Sequence, residues 1–148
     1  MIRKPFMMVD YAKADLIEGV GFEHWGLLHG VVPMLQYMES SGSFWTLWDK
    51  EEVVLIGGWY QSWSGVCEVS IFPTTRFIRQ PVGAVLHIMK QLRVLRLAYR
   101  RIQLSCKKDE VFTDFARRLG FKTEGILRRF RPDGHDHVMM SIIRGDYA

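Results

Sequence analysis

Glu68 is the one carboxylate in the apolar run Val66-Cys67-Glu68-Val69-Ser70-Ile71-Phe72. Further along, Gln80-Pro81-Val82-Gly83 opens a long amphipathic segment, preceded by Arg76 and Arg79. Other residues able to do chemistry are fewer. His135 and His137 alternate after a turn, so on a strand they share one face and make half a metal site. No second pair stands at ligand spacing, so no metal is expected and the two read as strand-face histidines. Cys67 and Cys106 lie in apolar runs and read as small core residues rather than a disulfide. Arg93, Arg96, Arg100, Arg101, Lys107 and Lys108 form a basic stretch in which Tyr99 is the one aromatic residue. Nucleic-acid binding through them predicts affinity that falls steeply with salt, but no recognised nucleic-acid module surrounds them.

Charge is divided unevenly along the chain. Residues 1–75 carry 4 basic and 9 acidic side chains, a net of −5, and residues 76–148 carry 16 and 7, a net of +9. Such a split suggests that the second half binds a polyanion, either nucleic acid or a phosphorylated cofactor; the alternative is a solvated basic helix face. A chain of 148 residues with 48% hydrophobic content fits one soluble domain, residues 1–148. No apolar run reaches the roughly 18 residues of a membrane span. Asp10 cuts short the apolar run after Arg3 and Lys4, which argues against a signal peptide and for a cytoplasmic protein.

These residues need elements to hold them. Phe6–Asp10 reads as a first strand. Ala12–Gly21 and Glu23–Met38 read as helices interrupted near Gly30 and Pro33, and Glu39–Ser43 as a loop. Phe44–Trp48 and Val53–Trp59 read as a hairpin around Asp49–Glu52. Gln61–Gly65 reads as a loop, and a strand from Val66 ends at Pro73. From Pro81 to Tyr99 the apolar residues Val82, Val85, Leu86, Met89, Leu92, Leu95 and Tyr99 recur at helical spacing, with Pro81 suited to the first position. A short strand follows at Ile102–Cys106. Val111, Phe112, Phe115 and Leu119 predict a last helix, stopped by a left-handed Gly120. Two final strands flank the turn dipeptide Asp133-Gly134. The order β-α-α-β-β-β-α-β-α-β-β predicts an α/β (α+β) fold: a mixed, mostly antiparallel sheet of about seven strands flanked by helices.

The stretch Leu119-Gly120-Phe121, then Glu124-Gly125-x-Leu127-Arg128-x-Phe130, then a hairpin running to Ser141-Ile142-Ile143, resembles the C-terminal part of the GNAT N-acetyltransferases. Within that superfamily it is most similar to the ribosomal-protein N-terminal acetyltransferases. The resemblance follows the whole chain in element order. In residues it runs from about Val66 and is strongest from Phe115 to Ile143. It implies acetyl-CoA as co-substrate. Gln80-x-x-Gly83 matches the first half of the family's pyrophosphate-binding turn, while Val85 stands where Gly or Ala is usual. The cofactor residues implied are Arg76, Arg79, Gln80, Val82, Gly83 and Ala84 at that turn. Val69, Ser70, Ile71 and Phe72 would offer their main chain to the pantetheine arm. Glu68 takes the place of the base that removes a proton from the acceptor ammonium. The usual general-acid Tyr is replaced by Ala116 and the usual Asn by Asp109. Tyr99, Ser105 and Cys106 are the available substitutes.

Two functions follow. One is an acetyl-CoA-dependent N-acetyltransferase acting by direct attack on a primary amine of a protein N-terminus, a lysine or a small molecule, with Trp59, Tyr60 and Trp63 beside the acceptor. The other is a weak or inactive GNAT-like protein with a structural or interaction role. Such proteins resemble small tailed-phage gene products, virion-associated ones included. The resemblance sets no single assembly state: a monomer, a homodimer or part of a larger assembly all fit.

Overall fold

The computed structural model of the chain describes residues 1–17, 31–130 and 134–145. Twelve elements follow in the order β1 (Ile2–Pro5), α1 (Met8–Lys13), α2 (Val31–Ser41), β2 (Phe44–Asp49), β3 (Glu52–Trp63), β4 (Val66–Pro73), α3 (Thr75–Arg79), α4 (Val82–Ala98), β5 (Arg101–Lys107), α5 (Glu110–Arg118), β6 (Lys122–Leu127) and β7 (His137–Ile143). Hydrogen bonding orders the strands β1-β2-β3-β4-β5-β7-β6. The β4–β5 pair is parallel, while β1–β2, β2–β3, β5–β7 and β6–β7 are antiparallel. This is the mixed, mostly antiparallel seven-stranded sheet with flanking helices that the element order predicts. The chain divides into two compact units, Met1–Trp59 with Ser70–Leu86 and Tyr60–Val69 with His87–Ala148.

In the first unit, Phe6, Leu35, Met38, Phe44, Val53, Ile56 and Phe72 form a buried cluster. The strand expected over Phe6–Asp10 is displaced: pairing is confined to Ile2–Pro5, and Met8 starts a helix. Asp10 decides this. Its carboxylate is 5% exposed and accepts from the Met7 N–H at 2.9 Å and the Thr46 hydroxyl at 2.7 Å. It therefore satisfies a helix N-terminus instead of closing a strand. The expected loop at Glu39–Ser43 begins three residues late, at Gly42, because α2 runs on to Ser41. Glu39 accepts from the Met8 N–H at 2.7 Å, and the Ser40 and Ser41 hydroxyls donate back to the Tyr37 and Met38 carbonyls. The helix expected from Ala12 stops at Lys13, and residues 18–30 of the expected N-terminal helices, with His24, Trp25 and His29, lie outside the described residues. The hairpin β2–β3 is closely packed at Gly58: a Cβ there would sit 2.3 Å from the Phe44 ring across the ladder, so only glycine admits that ring.

In the second unit, β7 pairs with β5 along seven positions, from Arg101↔Ile143 to Lys107↔His137. Ile102, Leu104, Val138, Met140 and Ile142 are buried, as are Leu92 and Leu95 of α4 and Ala116, Leu119 and Phe121 at α5. The α4 stripe differs from the expected one. Ala84, Ile88, Leu92 and Leu95 are buried at helical spacing, while Val82, Leu86 and Met89 are exposed. Apolar residues outnumber the positions one helix face can bury, so periodicity alone misplaces three of them. The loop expected over Gln61–Gly65 contracts to the turn Ser64-Gly65 because β3 continues to Trp63. Gly65 takes φ +77 and the Arg100 guanidinium donates to the Ser64 carbonyl at 2.6 Å.

Helix α5 ends as expected. Gly120 has φ +105, its N–H donates to the Arg117 carbonyl, and the Phe121 N–H donates to the Ala116 carbonyl. That is a Schellman motif closed by a buried Phe121. In the last hairpin Gly134 has φ +76, whereas Asp133 lies outside the described residues. His135 precedes β7 and only His137 is on the strand, buried against the Phe130 ring, so the two do not form an alternating strand pair. Among the described residues no group of three His, Cys, Asp or Glu side chains is arranged to hold a metal, and no helix is long and apolar enough to cross a membrane.

Candidate active site

The turn after β4 is built around Thr74. Its hydroxyl, fully buried, donates to the Val54 carbonyl at 2.5 Å and its N–H donates to the same carbonyl at 3.3 Å. The Thr74 oxygen also accepts from the Phe77 N–H and so caps α3. Asp15 accepts from the Thr75 hydroxyl at 2.8 Å, and Leu16 bridges to Thr74. What reads in sequence as a long open turn is therefore a short braced helix followed by the start of α4. The first intrahelical bond of α4 runs from the Val85 N–H to the Pro81 carbonyl at 2.9 Å. The N–H groups of Val82, Gly83 and Ala84 precede it and have no acceptor within the helix.

Side chains at this turn divide into two sets. Arg79, Gln80 and Val82 are exposed beside the α4 N-terminus. Arg76 points instead to the β2–β3 turn, where it is ion-paired with Asp49 and lies 3.7 Å from Glu52. That contact lowers the Asp49 carboxyl from its ordinary value, mainly through the hydrogen bond from Arg76, and raises Arg76 in return. Gly83 has close company as well. A Cβ there would lie 3.0 Å from the Met1 methyl carbon and 3.1 Å from its sulfur. Ala84 is fully buried, main chain included, so it presents no surface to a ligand, contrary to the expected cofactor role.

On β4 the side chains alternate, with Glu68, Ser70 and Phe72 on one face and Val69 and Ile71 on the other. Phe72 belongs to the buried cluster. The parallel ladder to β5 is short: Val66↔Arg101, Cys67↔Ile102 and Glu68↔Gln103. It stops there, although β4 continues to Pro73 and β5 to Lys107. Glu68, half-buried, stands at the last paired position, and the Gln103 amide donates to it at 3.4 Å.

The fold of the chain is shared with solved structures. Ard1 from Thermoplasma volcanium superposes with a TM-score of 0.72 at 17% identity, covering 96% of both chains. A ribosomal-protein-alanine N-acetyltransferase from Brucella melitensis gives 0.74 at 14% identity over 97% of this chain and 99% of that one. RimJ from Mycobacterium smegmatis, in complex with CoA-disulfide, gives 0.65 at 17% identity over 98% and 82%. This is the GNAT acetyltransferase fold. No family model and no curated protein matches the sequence significantly.

Within the GNAT fold the substituted positions have plain structural roles. Ala116, where the family's general-acid Tyr is usual, is 3% exposed and its carbonyl serves the α5 cap. Asp109 caps the other end, its carboxylate accepting from the Val111 N–H at 2.9 Å. Burial pushes the Cys106 thiol up to about 11 and the Cys67 thiol up to about 12, so both stay protonated at neutral pH. Tyr99 is also raised, chiefly by burial, and its hydroxyl donates to Gln61 at 3.2 Å. Trp63 is 75% exposed, and Trp59 and Tyr60 are half-buried on β3.

One constellation escapes motif reading. Arg101 grips Glu124 through two bonds of 2.6 and 2.7 Å and donates to Gln103 at 2.8 Å, and Ser141 donates to Glu124 at 2.7 Å. The alternation Arg101-x-Gln103-x-Ser105 was the available signal, because period-2 polar residues on a strand share a face.

Proposed function

We propose that the chain, as one GNAT domain, is an acetyl-CoA-dependent N-acetyltransferase that passes an acetyl group to a primary amine of a protein N-terminus, a lysine or a small molecule by direct attack. The observation that carries this is the opening of the β4–β5 ladder immediately after Glu68↔Gln103. It frees main-chain groups of Val69, Ser70, Ile71 and Phe72 to pair with an extended ligand arm, and it leaves a carboxylate at the fork. Unpaired strand groups and, later in the chain, a helix N-terminus are the two features that suit a long molecule with an amide arm and phosphates.

Acetyl-CoA, when bound, supplies an acyl thioester. Glu68 takes the proton from the acceptor ammonium, since only the neutral amine is nucleophilic. Arg79 and Gln80, with the N–H groups of Val82 and Gly83, hold phosphate at the α4 N-terminus. No residue stands at the general-acid position, and none is obligatory: an ordinary alkyl thiol has a pKa of about 8.5, low enough to leave as the thiolate. Arg76 serves phosphate only after leaving Asp49.

Calorimetry with acetyl-CoA, followed by thiol release in the presence of amine-bearing peptides, tests the reading. Saturable binding and amine-dependent thiol release are expected. No binding at millimolar acetyl-CoA sinks it. Arg76 committed to Asp49, Met1 set against Gly83 and Ala116 buried in the core favour a second reading, a GNAT-like protein retained for structure or interaction, virion-associated rather than cytoplasmic. Stable recovery in a larger assembly without bound nucleotide supports that one.

A further inference from the structure

We propose that Gln103 is a positioning residue for Glu68, oriented in turn by Arg101, Glu124 and Ser141. This inference rests on the reading of Glu68 as the base. The row is set by strand register: the parallel ladder places Glu68 opposite Gln103, and the antiparallel one places Gln103 opposite Ser141. Three polar side chains therefore share one face across β4, β5 and β7.

The direction of each hydrogen bond is fixed by chemistry. Arg101 carries only donors, so its Nε–H at 2.8 Å must face the Gln103 oxygen. That leaves the Gln103 NH₂ to face Glu68, where it donates to Oε2 at 3.4 Å. Arg101 cannot swing away, because both terminal nitrogens are held by Glu124 at 2.6 and 2.7 Å. Glu124 is aimed by the irregularity in the β6–β7 ladder between Thr123 and Gly125, and the buried Ser141 hydroxyl fixes its Oε1 at 2.7 Å. Arg101 lowers the Glu124 carboxyl to about 2, with Ser141 assisting, so the chain keeps its charges at any pH where an amine is acetylated.

The Arg101 guanidinium is turned to Glu124, and the Glu68 carboxylate meets the neutral amide of Gln103, which holds its rotamer.

Steady-state kinetics on Gln103→Leu, Glu68→Gln and the double variant test the proposal. Gln103→Leu alone should lower kcat about 10-fold, within the range of misaligned acid–base groups, with KM for acetyl-CoA changed less than about 2-fold. In the Glu68→Gln background it should cost nothing further, because Gln103 acts through Glu68. Equal losses in both backgrounds overturn the proposal, as does an undiminished kcat in Gln103→Leu when Glu68→Gln is impaired. If Glu68→Gln itself keeps full kcat, the base reading fails instead. A readout free of turnover is the side-chain NH₂ resonance of Gln103. It should move in Arg101→Lys and in Glu68→Gln, and an unchanged signal in either overturns the hydrogen-bonded chain even if the enzyme proves inactive.

Discussion

A base for an ammonium must be held where the nitrogen arrives, and it must remain ionised. Under the proposed reading Glu68 is that base, and it stands at the last rung of the β4–β5 ladder, where two strands still fix its backbone. Glu68→Gln is expected to lower kcat by about 10²-fold or more with little change in acetyl-CoA affinity, as read by steady-state kinetics beside calorimetry. Glu124 offers a separate residue-scale check. Its carboxyl falls from an ordinary 4.5 to about 2 in the fold, so its contribution to stability is fully present above about pH 4.5 and is lost as pH falls toward 2. Urea unfolding of wild type and Glu124→Gln from pH 6 to pH 2 should therefore converge at the acid end, the wild type being the more stable at pH 6. Both residues are visible in sequence, Glu68 as a lone acid in an apolar run and Glu124 as part of a motif. Their partners were not visible, since Gln103 and Ser141 reach them only across strands.

At the scale of elements, α3 is the departure that matters most. It occupies the turn where a glycine loop would lie, and it swings Arg76 toward Asp49 rather than toward the α4 N-terminus. Asp49→Asn should release that guanidinium and tighten acetyl-CoA binding about 2- to 5-fold at low salt, the range of a partly exposed ion pair. Unchanged affinity would assign Arg76 to the hairpin alone. The stop of α5 has a more local test. Ala at Gly120 must adopt φ +105, at a cost of roughly 1–2 kcal/mol that chemical denaturation should show without loss of acetyl-CoA binding. The α5 stop was legible because capping is decided by neighbours in sequence. The short α3 was not, because Thr74 starts it by donating to the Val53 and Val54 carbonyls, some 20 positions away.

For the molecule as a whole, a ligand that binds only the folded chain raises its stability by mass action. Acetyl-CoA at 100 times its dissociation constant should add about 2.7 kcal/mol, roughly 5–10 °C in melting temperature for a chain of this size. A melt unmoved by acetyl-CoA would favour the structural role. The sequence by itself determined the order of elements apart from α3, and the seven-stranded sheet, since hydrophobic period, glycine stops and turn residues act over a few positions. It also determined which residue types were on hand: one acid on β4, an Arg- and Gln-bearing turn, no Tyr at position 116. Only the tertiary structure decided which of them meet. Strand register set Gln103 beside Glu68, the β2–β3 turn claimed Arg76, and Met1 came to rest against Gly83. Each of these is a contact between residues far apart in the chain, set by pairing and packing rather than by any local pattern.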